Sequence, residues 1–120
     1  MNFVFHNNSN IDAPRCREGN ERTEITVSRH ETISLMCEVE ALPDDDVRFS
    51  WTYNGTIGDV SPIPNSRVEN KGLTSVLEYT IDADNYGTLA CWASNSIGRQ
   101  RAPCLFNIIP ASKSFINYEK

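Results

Sequence analysis

Ile33-Ser34-Leu35-Met36-Cys37-Glu38-Val39, followed by Val47-Arg48-Phe49-Ser50-Trp51-Thr52-Tyr53, decides how this chain folds. In both stretches apolar side chains alternate with polar ones, the period-two pattern of a strand with one face buried and one wet. That alternation sends Leu35 and Cys37 inward from the first strand and Trp51 inward from the second. A third run, Thr88-Leu89-Ala90-Cys91-Trp92-Ala93-Ser94, turns Leu89, Cys91 and Ala93 inward and Trp92 outward. Cys37 and Cys91 are 54 residues apart, and Trp51 lies 14 past the first of them. In a two-sheet sandwich this spacing sets one cysteine on each inner face, with the indole packed beside them.

Working outward, further short strands are bounded by turn residues. Thr74 to Ile81 carries Leu77, Tyr79 and Ile81 on one face, Pro103 to Ile109 is a final extended run, and Glu24 to Ser28 is a β-branched strand upstream. Ala41 to Asp46, Asp82 to Gly87 and Asn95 to Gly98 break the pattern with Pro, Asp, Asn and Gly. Asn54-Gly55 predicts a two-residue hairpin turn, because both positions tolerate positive φ. Ile57 to Ser66 reads as an irregular connection or a weak edge strand. There is no amphipathic helix of ten or more residues, no internal repeat and no low-complexity tract. About seven or eight short strands spaced ~8–12 residues apart predict an all-β, antiparallel two-sheet sandwich.

Composition narrows the function classes. The chain of 120 residues has the length of one domain, and its 39% apolar content suffices for a core. A net charge of −5 disfavours a nucleic-acid footprint. No apolar run approaches the ~18 residues of a bilayer-spanning helix. The four cysteines, Cys16, Cys37, Cys91 and Cys104, show no CxxC pair, and His6 and His30 stand alone, so zinc and thioredoxin-like spacings are missing. Two structural disulfides and an oxidising compartment follow, with four buried free thiols as the rival reading. Residues 1–12 hold no basic segment and only three consecutive apolar residues, which is no signal peptide. The sequence is therefore expected to be a piece of a longer extracellular chain.

The Cys37, Trp51, Cys91 constellation resembles the immunoglobulin superfamily over roughly residues 13–110, and Asn85-Tyr86-Gly87-Thr88-Leu89-Ala90-Cys91 resembles that family's D-x-G-x-Y-x-C segment. Asn85 replaces the usual Asp. Leu89 replaces the corner tyrosine, so the corner must be held by packing or by Tyr86. The resemblance implies a Greek-key sandwich of I-set or C2-like type with a Cys37–Cys91 bridge. Four cysteines allow three connectivities. The family's topology, in which the first strand runs beside the last, favours Cys16–Cys104 as the additional bridge. Y-G-T-L-x-C-W and I-G-x-Q-R-x-P-C further resemble the arthropod Sidestep family of neuronal cell-surface proteins. This implies an interior domain of an axon-guidance chain, with Beaten-path-like receptors as partners, engaged through another domain of the parent. Residues 1–12 then read as the end of a preceding domain and a linker, and 111–120 as the linker to the next module.

Candidate sites are few. Asn54 and Asn7 begin N-x-S/T acceptors for N-glycosylation, Asn54 on the predicted hairpin tip. Trp92 is an outward indole, either a partner anchor or a ring stacked under Arg48 or Arg101. Arg99 and Arg101 form a basic pair on the last turn and join Trp92 as candidate partner contacts. Asp44, Asp45 and Asp46 cannot all face one ion and read as a solvated loop. Hydrolase, zinc-protease, P-loop and dinucleotide motifs are missing, and no cofactor or small-molecule substrate is expected. Two roles compete, a spacer setting distance from the membrane and an adhesion module using the face that carries Trp92. A soluble secreted binding protein of immune or matrix type is the alternative.

Overall fold

The structure, a computed structural model, describes residues 12–55, 58–63, 67–82 and 85–111; Asn7 and the two flanking linkers lie outside them. Nine strands follow in order: β1 (Asp12–Cys16), β2 (Arg22–Val27), β3 (Thr32–Leu42), β4 (Arg48–Gly55), β5 (Val60–Pro62), β6 (Val68–Lys71), β7 (Thr74–Thr80), β8 (Gly87–Ser94) and β9 (Cys104–Pro110). One sheet has the order β1-β3-β7-β6 and the other β2-β9-β8-β4-β5. The first strand of the expected fold is thus split. β1 pairs antiparallel with β3, whereas β2 pairs parallel with β9. The crossing falls in the turn after Cys16, where Asn20 N donates to Arg17 O and Gly19 has φ +90°; Pro14, which cannot donate to a ladder, sits in an edge strand whose register slips between Asp12 and Arg15. An opening strand divided between both sheets, with β5 beside β4 and β6 beside β7, is an I-set arrangement. The expectation of a wholly antiparallel sandwich is corrected only at β2 and β9.

The core is what the alternation dictates. Leu35, Trp51, Leu77 and Leu89 are at most 2% exposed, with Val27, Ile81, Phe106 and Ile108 around them. The Trp51 indole N–H donates to Ser75 Oγ at 2.9 Å, and that hydroxyl donates on to Asn70 Oδ1, so the one polar edge of a buried ring is satisfied. Its ring lies 5.5 Å from that of Phe106. Cys37 is bonded to Cys91 and Cys16 to Cys104, with Cα separations of 6.5 and 5.7 Å. Cys91 and Cys104 are register partners on β8 and β9, so the two bridges stand side by side between the sheets.

The poles are held by polar side chains. At the upper one, Asn95 Nδ2 donates to the carbonyls of Asp12 and Pro43, tying the start of β1 to the β3–β4 and β8–β9 connections. At the lower one three tyrosines replace the missing corner residue. Tyr79 Oη donates to Asn85 O at 2.8 Å, Tyr53 Oη to Tyr86 O at 2.7 Å, and Tyr86 Oη to Val27 O at 3.0 Å. Leu89, 0% exposed, packs inward at the corner position. Burial, with Tyr53 adding to it, pushes the Tyr79 phenol up to about 12. Gly87 follows with φ +149°, where a Cβ would stand 2.7 Å from the Asn54 carbonyl oxygen. The chain comes in at the upper pole and leaves at the lower one, where Ala111 N donates to Val27 O.

Candidate protein-binding face

The outer face of the five-stranded sheet is built mostly from small neutral residues. Ser50, Thr52 and Asn54 of β4 lie beside Trp92, Ala90 and Thr88 of β8, and Leu105 and Asn107 of β9 continue the surface. Among its strands, charged side chains stand only at the margins: Arg48 at the upper end of β4, and Arg22 and Glu24 on the edge strand β2. The other sheet is different. Its outer face carries Glu38, Glu40, Glu69 and Glu78, with exposed pairs Arg15–Glu40 at 3.3 Å and Arg17–Glu38 at 3.4 Å. Charge therefore separates the two faces of one sandwich.

Trp92 sits half-buried on the neutral face, and the Arg99 guanidinium lies 4.0 Å from its ring centroid. The stacking cation is Arg99 instead of Arg48 or Arg101. The turn after β8 is the reason. Asn95 Oδ1 accepts from the N–H groups of Ile97 and Gly98, Asn95 N donates to Gly98 O, and Ser94 bridges to Arg99. The chain thus doubles back so that Arg99 falls beside Ser94 and over the indole. A notch of about 130 Å³ opens there, lined by Arg48, Phe49, Ser50, Trp92, Ala93, Ser94 and Arg99. Arg101 lines a separate groove with Asp12, Pro14, Glu21 and Pro103, so the two arginines face different depressions.

Gln100 anchors the turn, and the sequence reading missed it. It is 4% exposed. Its backbone N–H donates to Ala93 O, its Oε1 accepts from Ala93 N–H, and its Nε2 donates to Ala102 O at 3.0 Å while lying 3.4 Å from Cys16 Sγ. The β8–β9 ladder stops at Cys91 and Cys104, and Pro103 supplies no donor, so the Gln100 side chain completes the ladder beyond it. A glutamine three residues before a proline and four before a cysteine was the available signal.

Asn54 is not at a hairpin tip. It pairs with both Val60 and Thr88 inside the sheet, is half-buried, and its Oδ1 is buried without a hydrogen-bond partner. The chain turns instead between Gly55 and Asp59, where Gly55 N donates to Asp59 O at 2.7 Å and Gly58 has φ +94°. The two-residue turn is displaced because pairing on both sides holds Asn54 extended. Asp44, Asp45 and Asp46 are exposed, Asp46 lying 3.7 Å from Arg48. Among the described residues no group of three or more His, Cys, Asp or Glu side chains is placed to hold a metal ion.

With the strand order in view, solved structures place the fold. A chimeric titin Z1Z2 carrying a decorin-derived peptide superposes with a TM-score of 0.61 at 19% identity, covering 81% of this chain and 93% of that one. The titin immunoglobulin tandem A164-A165 gives 0.63 at 14% identity, over 83% of this chain and 50% of that one. The N-terminal four immunoglobulin domains of Dscam1 isoform 1.9 give 0.59 at 18% identity, over 82% of this chain and 24% of that one. This chain therefore has the immunoglobulin fold, an all-β two-sheet sandwich with two disulfides. No protein-family model and no curated protein matches the sequence.

Proposed function

We propose that this chain is an extracellular recognition module of a cell-surface protein, and that the outer face of the β2-β9-β8-β4-β5 sheet binds a protein partner. The single observation behind this reading is the Trp92–Arg99 stack on a face almost bare of charge, beside an opposite face laced with Arg–Glu pairs. Interface centres are depleted of charge and enriched in Trp and Arg, so the neutral face is the one suited to contact. Two disulfides support an oxidising, extracellular setting. Structural likeness to fragments of Dscam, a Down Syndrome Cell Adhesion Molecule, supports an adhesive one. The Y-G-T-L-x-C-W and I-G-x-Q-R-x-P-C runs support the Sidestep-type assignment: an axon-guidance chain with Beaten-path-like partners, in which residues 1–12 and 111–120 join flanking modules. Asn54 is proposed to be glycosylated on the lower part of the same face. A mass from a eukaryotic secretory host that an N-glycosidase leaves unchanged would count against it.

A spacer role has its own support, because the chain crosses the domain from pole to pole and so adds the module's length in series. Beads coated with the 120-residue chain separate the two roles. A binding module makes the beads aggregate or attach to neuronal cells unaided by any other domain, and Trp92→Ala abolishes this without moving the unfolding midpoint. Attachment no better than that of bare beads leaves the spacer role alone.

A further inference from the structure

We infer that the notch between Arg48, Trp92 and Arg99 receives an Asp or Glu carboxylate from the protein partner. The inference rests on the reading of the five-stranded face as the binding face, and it names the chemistry that face recognises.

The Arg99 guanidinium carbon lies over the Trp92 indole, 4.0 Å from the ring centroid. A cation held by the ring's π face spends none of its N–H donors on that contact, and the guanidinium fork matches a carboxylate. Among the described residues no carboxylate or carbonyl accepts from them. Arg48, across the notch, has among the described residues only Asp46 at 3.7 Å, with both side chains 78% exposed, a loose pair that an incoming acid readily displaces. Ser50 and Ser94 add hydroxyl donors to the same lining. Every polar side chain there offers a donor, and none of the lining residues is acidic. The indole clamp also holds Arg99 in place before binding, which lowers the ordering cost of the contact.

Size and field favour a protein side chain over an anionic glycan. A depression of about 130 Å³ holds a single carboxylate-bearing side chain. An extended polyanion needs a row of cations, and beyond the notch the face continues through Thr52, Ala90, Leu105 and Asn107. The net charge of −5 and the acidic opposite sheet also repel a polyanion at long range. A flat, neutral surround with one basic notch fits a protein surface presenting one buried acid.

The test is an NMR titration of the ¹⁵N-labelled 120-residue chain, followed at the Trp92 indole N–H and the Arg99 Nε–H. N-acetyl-glutamate N-methylamide is the probe and N-acetyl-glutamine N-methylamide its neutral twin. The inference expects saturable shifts of both resonances with the acidic probe only. Affinity falls at least fivefold in Arg99→Gln and in Arg48→Gln, and weakens as salt is raised. Equal response to both probes, or no saturable response in a chain with native amide dispersion, overturns it. Tighter binding of sialyllactose or a heparin tetrasaccharide at the same resonances overturns it in favour of a glycan. The bead assay separates this failure from failure of the underlying reading. If Thr52→Lys abolishes attachment while Arg99→Gln and Arg48→Gln do not, the face binds but not through an acid. If Thr52→Lys leaves attachment intact, the face itself is wrong.

Discussion

Replacing Gln100 by leucine keeps most of the side-chain volume and removes both polar ends. The Ala93 N–H, in a residue 1% exposed, then loses its acceptor in a place water does not reach. An orphaned buried donor costs about 1–3 kcal/mol. The Ala102 carbonyl also loses its donor, but Ala102 is exposed and water takes over, so that loss is about 0.5–1 kcal/mol. The expected destabilisation is about 2–3 kcal/mol, which for a domain of this size lowers Tm by about 10–20 °C. Thermal and urea unfolding of the oxidised protein measure it, with both bridges verified by mass. Gln100→Glu sharpens the test. It keeps an acceptor for Ala93 N–H but sets a carboxylate against the Ala102 carbonyl and the Cys16 and Cys104 sulfurs. The folded state then favours the protonated acid, so the deficit relative to wild type is largest near neutral pH and shrinks as pH falls toward about 4. A Gln100→Leu deficit under about 0.5 kcal/mol, or a Gln100→Glu deficit indifferent to pH, would refute the role given to this side chain.

Three other perturbations probe separate parts of the fold. Because the Tyr79 phenol is held at about 12 against an ordinary 10.0, its contribution is complete below pH 10 and is lost as pH rises toward 12. Stability should fall over that window by about 1–2 kcal/mol, and Tyr79→Phe should flatten the fall; an unchanged alkaline profile would argue otherwise. Gly87→Ala forces a Cβ to within 2.7 Å of a backbone oxygen at positive φ, so denaturant unfolding should show a loss of about 2–4 kcal/mol, whereas a near-neutral effect would mean a different turn. With Cys37–Cys91 intact, the second bridge closes an effective loop of about 35 residues, so the double change Cys16→Ser and Cys104→Ser should cost roughly 4 kcal/mol. A loss below about 1 kcal/mol would show that the reduced chain is already constrained.

Strands that bury one face were legible because period-two alternation is a direct record of burial. β3, β4, β7, β8 and β9 each carry it, and Leu35, Trp51, Leu77 and Leu89 occupy the interior. Two edge strands, β1 and β6, left no such record. Asp12–Cys16 has a proline and an arginine where alternation would stand, and Val68–Lys71 is mostly exposed. Asn54-Gly55 carried a true turn propensity, but pairing on both sides of β4 outweighed it and moved the reversal to Gly55–Asp59. At the site, Trp92 was legible as outward from its neighbour Cys91. Its cation was not, since choosing Arg99 over Arg48 or Arg101 depends on how Asn95 closes the last turn. Gln100 showed only as a spacing before Pro103 and Cys104, and its role stayed hidden for the same reason: a lone amide acquires a partner only once the backbone around it is placed.

Cys16 closes the short descent of β1 from the upper pole, and Cys104 opens β9, which runs to the lower one. A tug applied at Asp12 and Ala111 therefore travels down β1, crosses one sulfur–sulfur link and continues along β9, bypassing nearly everything else. The sequence between those sulfurs, a separation of 88 residues, cannot be drawn out while the link is intact. Roughly 300 Å of extensible polypeptide stays locked away. Under load this module behaves as an inextensible rivet, and only a reductant turns it into slack.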